Sequence, residues 1–434
     1  MDLFVLLIAF ITMLSLMLLS IPVAVSIMAV GAIGGYLAYG TPLISMMGGV
    51  IFSSLNNTTM LAIPLFMLLG ELLLRSGIAD RMYDALAVWL GRLPGGLLHT
   101  NIATCTLFSA TSGSSVATAA TVGTIALPTL NERKYPIRLS LGSLAAGGTL
   151  GILIPPSINL LVYGSIANVS VGQLFMAGIM PGLLLASCFC IYIFFSYRKT
   201  ESAAGDTRLP LKKKLILLRH LIPPFIIFAV VMGSIYGGLA TPTESAALGV
   251  TVAIFLVWTT GKLTLSLLME SSYLAARTTG MVIIILVCAL LLNVTISMLG
   301  VTQALTNWVT DLGLDRVSLL IVLMLFYLIL GMFMDAMSML VLTVPIAVPV
   351  VTAVGVNPIW YGIFVVMMCE VALITPPVGM NLFVVQGVRK DGGSFADIAW
   401  GAVPFAIIML AVSLLFIAWP EPVMWLPDLM RGQP

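Results

Sequence analysis

The chain has 434 residues, of which 60% are hydrophobic and only 8% are charged, and its formal net charge is +2. Soluble domains contain about 25% charged residues, so this composition excludes an ordinary soluble fold and requires lipid as the solvent. The small, scattered charge also excludes a nucleic-acid-binding surface. Because backbone groups in lipid must pair within their own segment, we predict an all-α polytopic membrane protein with about ten to twelve apolar stretches, some interrupted.

The first apolar stretch begins at Met1, and Asp2 is its only early charge. It lacks the basic start of a signal peptide and is longer than a signal core, so we interpret it as a retained membrane helix. The five cysteines all lie in apolar stretches and form no CxxC pair, which predicts free buried thiols rather than a metal site or a disulfide.

A basic segment at 198–219 lies near the middle of the chain and is its longest polar stretch. Basic loops stay on the cytoplasmic side of a membrane, so we place this segment in the cytoplasm. It separates two predicted repeats, 1–197 and 220–434. An odd number of spans in each repeat would make the two repeats inverted.

The two halves share landmarks at a nearly constant offset. The pair Pro155-Pro156 recurs 221 residues later as Pro376-Pro377, because 155 + 221 = 376. The same offset relates Pro128 to Pro349 and Ser114 to Asp335. This spacing favours an internal repeat, the arrangement from which many transporters are built.

Each half contains two interrupted hydrophobic segments in the same order. The first is an apolar run broken by small polar residues, which predicts re-entrant helical hairpins at about 97–133 and 316–353. The second is a helix broken at the double proline, at about 137–167 and 358–388. Proline removes a backbone donor and leaves carbonyls unpaired, which lipid tolerates only where the backbone lines a cavity or meets a ligand.

Such breaks combine two binding properties. Freed carbonyl oxygens suit Na⁺, and the N-terminus of the following half-helix favours an anion. Two plainer interpretations remain open, since a double proline can be a simple kink and a Gly/Ser/Ala run can serve close helix packing. Asp335 is equally compatible with a helix N-cap. Three acids in or near the membrane are further functional candidates, namely Glu71, Glu244 and Glu370.

Catalytic and ATP-binding motifs are missing from the sequence. It contains only two histidines, no HExxH motif and no Walker lysine motif, so we expect neither an enzyme nor ATP binding through a P-loop.

At the interrupted segments the sequence resembles the large membrane subunit of tripartite ATP-independent periplasmic (TRAP) transporters, over almost the whole chain. The ordered set of matching stretches comprises Ala62-Ile63-Pro64-Leu65-Phe66 with Gly70-Glu71, Ser112-Gly113-Ser114-Ser115-Val116-Ala117-Thr118, Gly151-Ile152-Leu153-Ile154-Pro155-Pro156-Ser157-Ile158, Ala177-Gly178-Ile179-Met180-Pro181-Gly182, Thr241-Pro242-Thr243-Glu244-Ser245-Ala246-Ala247 and Thr375-Pro376-Pro377-Val378-Gly379.

The resemblance implies an elevator-type transporter in the bacterial inner membrane, in which both hairpins and both broken helices move against a fixed scaffold. It implies coupling to Na⁺, no other cofactor, a separate small four-helix membrane subunit, a periplasmic substrate-binding protein and a small organic acid as substrate. The residues implied for Na⁺ binding are Ser109, Ser112, Gly151, Ile154 and Pro156 in the first half, and Gly331, Ala372, Thr375 and Val378 in the second. The predicted substrate-binding residues are Ser114, Ser115, Thr118, Ser157, Asp335 and Asn381.

Two other functions stay open from the sequence. A one-component Na⁺/dicarboxylate symporter of similar architecture would need no binding protein, and a channel or membrane enzyme is the more remote alternative. The sequence leaves the acid undetermined among sialic acids, C4-dicarboxylates, sugar acids and others.

Overall fold

The computed structural model describes residues 3–19, 21–56, 58–197 and 210–430. All regular secondary structure in these ranges is helical. The first-half helices are α1 (Leu3–Leu18), α2 (Val23–Tyr39), α3 (Thr41–Leu55), α4 (Ala62–Arg75), α5 (Ile78–Leu90), α6 (Gly96–Ser112), α7 (Ser115–Glu132), α8 (Ile137–Thr149), α9 (Ile158–Ile166) and α10 (Val171–Tyr197). The second-half helices are α11 (Leu211–Leu217), α12 (Ile222–Tyr236), α13 (Pro242–Thr259), α14 (Leu265–Met298), α15 (Val301–Asp311), α16 (Arg316–Gly331), α17 (Ala336–Ala353), α18 (Pro358–Leu373), α19 (Met380–Val388), α20 (Phe395–Ala418) and α21 (Glu421–Met430).

The all-α polytopic fold predicted from composition is confirmed. In the described ranges, seven helices are long and apolar enough to cross a membrane, and five further apolar helices are shorter. The shorter ones include α16 and α18, which end at the interruptions that the sequence marks with small residues or a double proline. Each of the five cysteines is a free thiol.

One prediction about the middle of the chain needs correction. The segment 198–219 was expected to be a loop, but α11 occupies Leu211–Leu217 and a short 3-10 helix follows at Leu218–Leu221. This helix docks on α5, where Trp89 donates its indole N–H to the Lys214 carbonyl at 3.3 Å and Lys214 Nζ donates to the Val88 carbonyl at 3.3 Å. These contacts stabilise a helix at the start of the second half. Residues 198–209, with three of the basic side chains, lie outside the described ranges.

The helices pack as two groups. One group contains α2, α3, α4, α12, α13 and α14. In this group α14 packs against α2, α3 and α4, and α4 also packs against α13. The other contains α6–α10 and α16–α20, where helices of the first half pack directly against helices of the second. In the second group α8 lies along α20 so closely that a Cβ at Gly142 would come within 2.0 Å of the Gly401 carbonyl oxygen. Small residues therefore set this helix distance.

Two of the three acids singled out in the sequence have structural partners in the first group. Glu244 forms a capping box at the start of α13, accepting from the Thr241 N–H at 2.7 Å while its own N–H donates to the Thr241 hydroxyl at 3.4 Å. Glu71 lies 3.6 Å from Arg75, which also pairs with Glu270 at 2.6 Å. Capping and ion pairing account for both acids without a ligand.

Candidate functional site

The first double proline separates α8 from α9. After α8 the chain makes one 3-10 turn at Leu150–Ile152 and then loses helical geometry until Ser157. Ser157 is the N-cap of α9, because its hydroxyl accepts from the Leu160 N–H at 3.3 Å and donates to the Ile152 carbonyl. The break is therefore a local product of two prolines followed by a good capping residue.

The tip of the α6–α7 pair is a tight turn built from small residues. Gly113 has φ +60°, a left-handed conformation that favours glycine, and Ser114 caps α7 by accepting from the Ala117 N–H at 3.4 Å. Thr118 donates its hydroxyl to the Ser114 carbonyl at 2.7 Å and lies 3.0 Å from Ser112 Oγ. Hydrogen bonds thus join Ser112, Ser114 and Thr118, three residues predicted to contact substrate or Na⁺.

This tip lies directly against the first break. A Cβ at Gly113 would be 2.7 Å from the Pro156 carbonyl oxygen, and a Cβ at Gly151 would be 2.8 Å from the Ser114 carbonyl. Nearby on α6, Ser109 Oγ is fully buried and has no hydrogen-bond partner. A buried hydroxyl without a partner costs about 1–3 kcal/mol, so this hydroxyl is a candidate ligand for a bound cation.

Ile154 belongs to the same break, but its side chain faces α10. A Cβ at Gly182 would lie 2.6 Å from Ile154 Cγ1, which makes this side chain a packing element. Only the carbonyl of Ile154 is chemically available to a ligand, as expected from its apolar side chain.

The second double proline separates α18 from α19, and the end of α16 packs against the end of α18 just before it. A Cβ at Gly331 would be 2.4 Å from Ala372 Cβ, and the Val378 N–H donates to the Met332 carbonyl at 3.3 Å. Thr375 donates its hydroxyl to the Val371 carbonyl at 2.6 Å, so its oxygen can still accept or coordinate while its proton is engaged. The four residues predicted for the second sodium site are therefore near one another.

The second tip begins with Asp335, which caps α17. Its carboxylate accepts from the N–H groups of Met337 and Ser338, each at 3.1 Å, and from the Ser338 hydroxyl. The capping interpretation left open by the sequence is therefore the observed geometry. Both carboxylate oxygens serve the start of α17.

Asn381, at the start of α19, connects the two halves. Its Nδ2 donates to the Ala145 carbonyl on α8 at 3.2 Å, and its Oδ1 is buried without a partner. A Cβ at Gly148 would lie 3.1 Å from Asn381 Nδ2 and 2.6 Å from Ala119 Cβ. α19 therefore packs on α7 and α8 beside the first tip, while α9 packs on α17 and α18 of the other half.

Sequence reasoning did not single out Ala145 and Gly148, although both contact a predicted site residue. The only signal was the small-residue run on α8, which indicates close packing without identifying a partner. Glu370, the third acid singled out in the sequence, is fully buried on α18, and neither carboxylate oxygen has a partner.

The residues predicted to bind Na⁺ at both breaks offer carbonyl and hydroxyl oxygens, and the Asp335 carboxylate beside them is occupied by the start of α17. Within the described ranges no group of three or more His, Cys, Asp or Glu side chains could hold a metal ion. Any cation bound at these breaks would be held by neutral oxygens, a donor set suited to a hard cation of low charge.

Comparison with known proteins identifies the family. The model for "Tripartite ATP-independent periplasmic transporter, DctM component" matches residues 10–422. The chain belongs to this family. The C4-dicarboxylate TRAP transporter large permease protein DctM of Pseudomonas aeruginosa is 34% identical over 87% of this chain and 88% of its own length.

A second relative of this DctM-family protein is longer than the chain. The isethionate TRAP transporter permease protein DctMQ of Oleidesulfovibrio alaskensis is 32% identical over 92% of this chain, and the match spans 62% of that relative. The YdaH transporter of Alcanivorax borkumensis has a similar fold, with a TM-score of 0.67 at 13% identity over 95% of this chain and 99% of that one. The protein is thus a multi-pass membrane transport protein, the large permease of a TRAP transporter, and not an enzyme.

Proposed function

We propose that this TRAP large permease couples uptake of a small organic acid to Na⁺ entry by an elevator movement across the bacterial inner membrane. The observation that carries the proposal is the contact between each interhelical turn and its break, seen at Gly113 with Pro156 and at Met332 with Val378. These two contacts lie in the group of helices where the halves pack together.

Sodium binding is supported by the oxygens beside the first break. Ser109 Oγ is a buried hydroxyl without a protein partner, next to a tip and break that present carbonyl groups. In the second half, the oxygens of Thr375 and the carbonyls near Gly331, Ala372 and Val378 would supply the corresponding ligands. A monovalent cation held by neutral oxygens needs no carboxylate, and binding would satisfy a hydroxyl that is otherwise unpaired.

Binding of an acid is supported by helix N-termini. Helices α7, α9, α17 and α19 all begin at a tip or a break, and their first backbone N–H groups favour a carboxylate. The hydroxyls of Ser114 and Ser115 and the second N–H of the Asn381 amide would add donors there, whereas the hydroxyl protons of Thr118 and Ser157 are engaged by the Ser114 and Ile152 carbonyls. Relatives named for a C4-dicarboxylate and for isethionate show that the substrate differs within the family.

The movement is supported by the division into two groups of helices. Helices α6–α10 and α16–α20 would slide together against α2–α4 and α12–α14. Gly70 on α4 allows a close contact with this mobile group, since a Cβ there would be 2.8 Å from the Ser112 carbonyl oxygen. We propose a small membrane subunit and a periplasmic binding protein as partners, in agreement with the tripartite family.

The decisive experiment measures uptake in liposomes that contain the permease, its small subunit and the cognate binding protein. Substrate should accumulate under an inward Na⁺ gradient and should not accumulate in Na⁺-free vesicles loaded with ATP. Uptake in the Na⁺-free vesicles would contradict the coupling. Sodium-driven uptake by the permease alone would instead indicate a one-component symporter.

A further inference from the structure

A cavity of about 570 Å³ lies under the C-terminal helix α21, away from both breaks. It is an open pocket bordered by α21, the starts of α16 and α18, and the turn before α18. Its charged and aromatic lining comprises Arg316, Trp360, Glu421, Trp425 and Asp428. Its volume falls within the range of about 300–1,000 Å³ that is typical of small-molecule sites.

Two hydrogen-bond donors at this cavity have no partner. Trp360 is 2% exposed and its Nε1 is buried without a hydrogen bond, and Arg316 Nε is likewise buried and unpaired. The Arg316 guanidinium lies over the Trp360 ring, with Cζ 5.5 Å from the ring centroid. This cation–π contact positions the guanidinium, and in the described part of the chain the guanidinium forms no ion pair.

Two acids line the same cavity without neutralising the arginine. Neither Glu421 nor Asp428 forms an ion pair with Arg316 in the described part of the chain. The cavity therefore holds separated positive and negative groups, with one guanidinium and two carboxylates. A ligand that carries both a phosphate and a primary ammonium group would satisfy both ends, since each forms charge-assisted hydrogen bonds.

The cavity lies at one end of a helix that is long enough to cross a membrane. Helix α20 has 24 residues, and at 1.5 Å per residue its length is about 36 Å. The Arg138–Asp397 ion pair lies at its start, and α21 follows its end. α21 buries Val423 and Pro427, whereas Trp425 and Leu429 are each 56% exposed. Tryptophan and an amphipathic helix at this position are typical of the lipid headgroup region.

We propose that this cavity binds the headgroup of phosphatidylethanolamine. Arg316 holds the phosphate beside the Trp360 ring, Glu421 and Asp428 hold the ammonium group, and the exposed apolar side chains of α21 contact the acyl chains. An uncharged glycerol headgroup leaves both carboxylates without a cation. A quaternary choline headgroup offers them no N–H donor.

Native mass spectrometry of the delipidated permease, titrated with single phospholipids, tests the proposal. Phosphatidylethanolamine should bind about tenfold more tightly than phosphatidylglycerol or phosphatidylcholine. Arg316→Gln should weaken its binding about tenfold, and the double variant Glu421→Gln/Asp428→Asn should abolish the preference over phosphatidylcholine. The exposed residues Asp311 and Arg277 supply matched controls, as Asp311→Asn and Arg277→Gln should bind like the wild type.

Arg316→Lys keeps the positive charge but loses the planar guanidinium that lies over the Trp360 ring, so it tests the site if Arg316→Gln does not fold. It should weaken phosphatidylethanolamine binding several-fold. Equal binding of the three lipids, or a preference that survives all cavity variants, would overturn the proposal. Soluble glycerophosphoethanolamine that binds as tightly as the lipid would overturn the lipid as the occupant.

Discussion

Removing the Ser109 hydroxyl separates a role in Na⁺ binding from a role in folding. In the structure this hydroxyl is buried without a partner, so Ser109→Ala removes no hydrogen bond within the described protein. Deleting an unpaired buried hydroxyl should leave the stability unchanged or raise it slightly, because the desolvation cost of the hydroxyl disappears with it. If Na⁺ is the missing partner, the same substitution removes one of its ligands.

The size of the effect follows from the strength of a contact to a charge. Such a contact contributes about 1.5–3 kcal/mol, and each ~1.4 kcal/mol is a factor of ten in affinity. The Na⁺ concentration that gives half-maximal uptake should therefore rise about tenfold to a hundredfold in Ser109→Ala. The melting temperature in detergent should stay close to that of the wild type.

Uptake against Na⁺ concentration, measured in liposomes with the partner subunits, gives the result, and thermal melting gives the control. Ser187→Ala is the matched variant, because Ser187 is exposed on α10 and its hydroxyl donates to the Leu183 carbonyl at 2.7 Å. Ser187→Ala should change neither the half-maximal Na⁺ concentration nor the melting temperature. An unchanged Na⁺ dependence in Ser109→Ala would refute the ligand role. A large fall in melting temperature would instead show that the hydroxyl has a structural partner.

Three further substitutions test the second half. Gly331→Ala should abolish uptake, because its Cβ would lie 2.4 Å from Ala372 Cβ, whereas Gly280→Ala has open space and should retain uptake in the same liposome assay. Asp335→Ala should lower the free energy of unfolding by about 0.5–2 kcal/mol, because it removes the α17 cap. Asp335→Asn should recover most of this loss, as measured by thermal melting. Equal melting temperatures for the Ala and Asn variants would contradict the capping role. Thr375→Ala should raise the half-maximal Na⁺ concentration about tenfold, and wild-type Na⁺ dependence would leave at most a backbone ligand there.

Local chemistry made much of this fold predictable from the sequence. Composition alone requires a helical membrane protein, because lipid offers no partner to an unpaired backbone group. The helix ends at Ser112 and Leu373 follow from residues adjacent in the chain, since prolines, a left-handed glycine and capping hydroxyls act on their own turns. Charge was misleading at Leu211–Leu217, because the basic side chains indicate a loop whereas Leu and Lys are good helix formers and this helix docks on α5.

Contacts between distant segments needed the tertiary structure. The bond from Asn381 to Ala145 joins residues 236 apart, and the small residues that permit it are compatible with many packing partners. The unpaired state of Ser109 and the cavity beside Trp360 are equally invisible in a residue pattern. The sequence by itself determined where each helix is interrupted, because interruption depends on neighbouring residues. Only the tertiary structure decided which interruptions meet, because that depends on the close packing of helices from both halves.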